Sequence, residues 1–112
     1  MRIAIPVVNG QLSQHFGHAA AFSIFDADPE SKKITKSTQL TPPEHAPGVL
    51  PAWLHEQGVN VIITGGMGPM AQQLFQQASI EVVLGATAGE PEAVTLAYLN
   101  GTLSQGSNTC DH

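Results

Sequence analysis

The chain has 112 residues, 42% hydrophobic and 12% charged, which fits one packed domain and excludes both a two-domain protein and a disordered polymer. Nine acids against four bases give a net charge of −5, and Arg2, Lys32, Lys33 and Lys36 form no stripe along a phosphate backbone, so nucleic acid is not expected as a partner. Cys110 is the single cysteine, which rules out an intrachain disulfide.

Residues 2–8 form an apolar, β-branched run that Asn9-Gly10 ends with turn residues. This start lacks the basic region, long apolar run and cleavage site of a signal peptide. Nowhere does an apolar run approach the ~20 residues of a membrane span, so a cytoplasmic protein with no membrane partner is expected. Residues 22–26 and 33–40 read as an antiparallel strand pair, joined by the hairpin-like Asp28-Pro29-Glu30-Ser31. A proline-rich loop follows over 41–48.

Three helices are predicted over 50–57, 69–78 and 91–100, each with a proline near its start. Gly58 and Gly101 stop the first and the last. In the second, Met70, Ala71, Leu74, Phe75 and Ala78 share one face. Between the helices, 60–64 and 80–84 are continuous apolar runs suited to strands buried on both faces of a parallel sheet. The order β-β-β-α-β-α-β-α predicts an α/β fold, a five-stranded mixed sheet with helices on both faces. A single domain is expected over 1–101, with a tail over 102–112.

In open α/β sheets, ligands sit outside the carboxyl ends of the parallel strands. If the first, third, fourth and fifth strands run parallel, loops 9–18, 41–48, 65–68 and 85–89 meet at that edge. They bring His15, His18 and His45 together with two glycine-rich turns. Imidazole is the commonest metal ligand and suits iron and copper; the competing reading is that these are merely polar loop residues. Gly65-Gly66-Met67-Gly68 precedes a helix whose free N–H groups attract anions, or it is simply a tight turn. It matches neither G-x-G-x-x-G nor a Walker loop. Met67 adds a soft thioether that more often packs than ligates.

Cys110-Asp111-His112 gathers a thiol, a carboxylate and an imidazole, a set that binds soft metals or that ends the chain by chance. A cysteine-ligated iron–sulfur site, which needs four thiolates, fails on inventory. So does a two-metal nuclease, since the first strand carries no carboxylate. His55 lies in a helix and reads as a surface residue.

Taken together, His15-Phe16-Gly17, Glu44-His45-Ala46-Pro47-Gly48, Pro51-Ala52-Trp53-Leu54, Gly65-Gly66-Met67-Gly68 and the ending 106–112 resemble the nitrogenase iron–molybdenum-cofactor accessory family. The resemblance runs over essentially the whole chain. It implies a ribonuclease-H-like three-layer fold without nuclease activity. It also implies that the chain is not an enzyme and binds an iron–molybdenum cofactor, its precursor or a related metal–sulfur cluster. His15, His45, Cys110 and His112 match positions where the family often carries potential ligands, while His18 stands where a basic residue such as Arg is common. Phe16, Gly17, His18 and Gly65, Gly66, Met67 and Gly68 complete the expected cofactor site, with cluster-synthesis or acceptor proteins as expected partners. Two other readings stay open: a simple transition-metal binder using the C-terminal Cys-Asp-His and the histidines, and a regulatory interaction domain without metal.

Overall fold

A computed structural model of the chain describes residues 1–12, 20–43, 49–86 and 89–103. Strand β1 (Arg2–Val8) is the centre of the fold. Its alternation is strict: Ile3, Ile5 and Val7 face one side, whereas Ala4 joins the core on the other. Strands β3 (Ala21–Asp28) and β4 (Lys33–Leu40) form the expected antiparallel hairpin, and β3 pairs antiparallel with β1.

Helix α1 (Val49–Glu56) crosses to β5 (Val61–Ile63), which lies parallel to β1; α2 (Pro69–Gln77) then crosses to β6 (Glu81–Val83), parallel to β5. The sheet order is β4-β3-β1-β5-β6, and helix α3 (Pro91–Leu99) follows β6. None of these helices is long and apolar enough to cross a membrane.

The helices cover both faces. Leu50, Leu54 and Phe75 from α1 and α2 pack on Phe22, Ile24 and Ile62; Val94, Tyr98 and Leu99 from α3 pack on Ile3, Ile5, Phe25 and Ile63. Prolines at the starts of α2 and α3 supply φ already set for the helix and forgo an N–H that would have no intrahelical partner. Gly58 and Gly101, after the ends of α1 and α3, take positive φ of 79° and 72°, where a side chain is strained.

Two expectations are corrected. The sheet has six strands, not five, because β2 (Gln11–Leu12) folds back on β1 with Val7 opposite Leu12 and Val8 opposite Gln11. Asn9 (φ 54°) and Gly10 (φ 78°) make its turn; two positive φ values mark the hairpin turn that Asn-Gly favours, so the dipeptide reverses the chain rather than only stopping it. The second correction is Met70, which is 71% exposed and turned away from the apolar face of α2. Only Phe75 on that helix is fully buried, with Ala71 and Ala78 partly so.

Candidate functional site at the strand ends

Strands β1, β4, β5 and β6 point the same way, since β4 is antiparallel to β3, β3 is antiparallel to β1, and β5 and β6 are parallel to it. Their carboxyl ends therefore define one edge of the sheet. Here Thr64 N–H donates to Val83 O (3.0 Å), Gly85 N–H to Gly65 O (3.0 Å) and Ala86 N–H to Thr64 O (3.3 Å), locking the segments after β5 and β6 side by side. On the other side of β5, β2 is sewn to the approach to α3 by Leu12 N–H donating to Gly89 O at 2.9 Å.

Val7 pairs with Leu12 on one side and with Ala21 on the other, and Ala20 N–H donates to Val7 O at 2.9 Å. The two stems of segment 13–19 are thus fixed on opposite flanks of the end of β1. His15, Phe16, Gly17 and His18 lie in that segment, outside the described residues, as do His45, Cys110 and His112. The described residues on their own contain no group of three or more His, Cys, Asp or Glu that could hold a metal ion.

What the described part of the edge offers is backbone. Gly65, Gly66 and Met67 are buried, and Met67 is 1% exposed, its side chain packed among Leu50, Leu54 and Phe75. Of the two readings of this thioether, packing is the one the fold adopts. Gln72 ties the turn from the side, its Nε2 donating to Met67 O at 2.9 Å. Gly68 caps α2 without a side-chain acceptor, and no acidic residue stands in the first turn. Among the described residues, the first N–H groups of α2 thus have no carboxylate of their own helix beside them, which leaves them suited to hydrogen bonding sulfide or oxygen. At the start of α3 the opposite holds: Glu90 and Glu92 flank Pro91 and border a cleft of about 290 Å³ with Gly10, Ser23 and Gln39.

The far edge, at the start of β1, is built from side chains that the sequence left unpaired. Arg2 Nε donates to Asp26 Oδ1 at 2.7 Å, and its Nη1 donates to Gln57 O at the end of α1. Asn60 brackets the same residue, its Oδ1 accepting from Arg2 N–H and its N–H donating to Arg2 O, both at 2.8 Å. The Arg2 hydrogen bond holds the Asp26 carboxyl below the usual range. Also at this end, Tyr98 donates to Glu81 Oε2 at 2.7 Å, and burial, then Glu81, push its hydroxyl up to about 12. His55 is exposed, with Nδ1 3.1 Å from Ala78 O.

A family model described as dinitrogenase iron-molybdenum cofactor matches residues 1–101. The chain belongs to that family. A curated relative, the uncharacterized protein MJ0580 of Methanocaldococcus jannaschii, is 34% identical over 109 residues, covering 94% of this chain and 91% of its own. The crystal structure of PH0822 is similar with a TM-score of 0.85 at 28% identity, over 94% of each chain. The apo form of the orange protein from Desulfovibrio gigas has the same fold, with a TM-score of 0.72 at 24% identity over 96% of this chain and 93% of its own. Family membership thus points to a cofactor-related role, and the strand-end edge is where this fold gathers its loops.

Proposed function

We propose that this family member is a non-catalytic carrier or scaffold, on a ribonuclease-H-like fold, for an iron–molybdenum cofactor, its precursor or a related metal–sulfur cluster. The observation that carries the reading is the joint one: a cofactor-family chain whose like-directed strands deliver a glycine turn and the stems of a histidine segment to one edge. In this reading His15 and His45 ligate metal through neutral imidazole, with Phe16, Gly17 and His18 beside them. The N–H groups of the Gly65–Gly68 turn and the first turn of α2 face the cluster's sulfides, as backbone dipoles at a helix start favour negative charge. Cys110 and His112 add ligands when the tail reaches the edge. The cargo passes to cluster-synthesis or acceptor proteins in the cytoplasm.

The test is cluster retention under anaerobic gel filtration. His15→Ala and His45→Ala each weaken retention ~10-fold or more, because losing a direct ligand costs at least as much as losing the group that orients one. Retention also falls as pH drops through ~6.5, where protonation removes the imidazole lone pair. Full retention by both variants, with loss only on deleting residues 106–112, replaces this reading with a bare transition-metal site in the tail.

A further inference from the structure

The two outer strands of the sheet differ in length: β6 has three residues and β4 has eight. Among the described residues no strand lies on the outer side of β4, and Lys33 and residues 35–39 are exposed. The phase of its backbone is set from β1. The Met1 amine donates to Ala27 O at 3.1 Å and Ala27 N–H donates to Met1 O at 2.8 Å, so Ala27, Phe25 and Ser23 direct their peptide groups to β1. Phe22, Ile24 and Asp26 then direct theirs to Leu40, Thr38 and Lys36, their partners on β4. The N–H and C=O groups of Ser37 and Gln39 consequently point away from the sheet.

All four Lys and Arg residues of this acidic chain lie on β4, in the turn before it, or at Arg2. Lys33 and Lys36 stand opposite Asp28 and Asp26 on the face that carries α1. Neither lysine forms an ion pair among the described residues, and the Asp26 carboxylate is already held by Arg2 at 2.7 Å. Beside them, Arg2, Asp26, Lys36, Thr38 and Gln57 line a pocket of about 180 Å³.

We propose that β4 accepts an extended acidic segment of a partner protein as an added antiparallel strand. The peptide groups of Ser37 and Gln39 supply an affinity common to any strand, and side chains at alternate positions of the partner select it. Carboxylates opposite Lys36 and Thr38 stand on the pocket face, next to the Lys36 ammonium, where opposite charges on neighbouring strands stabilise the pair. The same residues disfavour a second copy of this chain, because two β4 strands side by side bring lysines together. This docking edge is independent of the carrier reading: β4 lies three strands from β5, whose end leads to the glycine turn.

The test is a titration of the full chain, followed by amide NMR, with a short peptide that alternates valine and glutamate. At about 20 mM salt the peptide shifts the Ser37 and Gln39 amide signals most, and its affinity falls ~3–10-fold at about 200 mM. A peptide with lysine in place of glutamate binds at least ~10-fold more weakly, since like charges then face each other. Lys36→Gln weakens the glutamate peptide ~2–5-fold, the scale of one exposed ion pair. In an antiparallel pair the valines lie opposite Ser37 and Gln39 and turn their N–H groups to β4, so N-methylating them abolishes binding with the charge unchanged. Equal binding of the methylated peptide or of the lysine peptide overturns the proposal, as does the absence of binding at β4. So does a chain that is dimeric without peptide and made monomeric by Ser37→Pro, where proline removes only an outward N–H; the edge then belongs to a second copy.

Discussion

The two edges of the sheet are built from different materials. At the amino-terminal edge, side chains do the joining: one guanidinium links β1, β3 and the end of α1, and Asn60 pins β5 to the same residue. At the strand-end edge, among the described residues, the strands' ends are joined mostly through backbone, by the peptide groups of Thr64, Val83, Gly85 and Gly89, with the Gln72 amide and the Thr64 hydroxyl each adding a bond within the glycine turn. Side-chain chemistry needs particular residues and tolerates little change. Backbone chemistry leaves the residues above it free to vary.

The largest expected effect breaks this division inside the glycine turn itself. Met67→Ala removes a fully packed side chain and should cost ~2–5 kcal/mol in urea unfolding, since the core is left with a cavity. If Met67 serves as packing alone, metal affinity of the folded variant stays unchanged. Next comes Gly58→Ala at the amino-terminal edge. Its φ of 79° disfavours any Cβ by ~1–2 kcal/mol, and the added atom would stand 3.2 Å from Arg2 Nη1.

A pH series sharpens the contrast further. Asp26 has a folded-state pKa below its unfolded value of ~3.9, so its contribution is present above that value and lost as pH falls through the lower folded one. Asp26→Asn should therefore flatten the acid limb of the stability curve below about pH 4, with less change in its slope near neutrality. The smallest effect belongs to Gly68→Ala. Gly68 has φ −68° and nothing within 4 Å of an added Cβ, so stability should move by no more than ~0.5 kcal/mol in the same urea assay. A large loss there would mean that the turn needs glycine for folding and not for access.

Much of the fold was legible because period and punctuation agree. The alternation of β1, the prolines opening α2 and α3, and the glycines after α1 and α3 each name one structure. The direction of β4 followed from a short hairpin, and with it the shared edge of β1, β4, β5 and β6. What escaped was decided by tertiary register. β2 is two residues long and has no period to read; its only signal was Asn9-Gly10, which marks a reversal as readily as a stop. Nothing local says that Arg2 meets Asp26, because that pairing depends on how β3 lies on β1. Met70 sits at a helix start, where the apolar stripe has not yet met the sheet. For the site, the glycine turn was found and its neighbours were not: Gln72 on Met67 O, the Leu12–Gly89 link, and the carboxylates of Glu90 and Glu92.

The Leu12–Gly89 link gives the molecule a built-in gauge. Leu12 is the last described residue before segment 13–19, and its amide proton is held by a carbonyl that belongs to the other end of the sheet's topology. Any displacement of the approach to α3 relative to β2 must stretch or release that single bond. Its deuterium exchange rate therefore registers how often the two halves of the strand-end edge part company, on the timescale of local opening and independently of global unfolding.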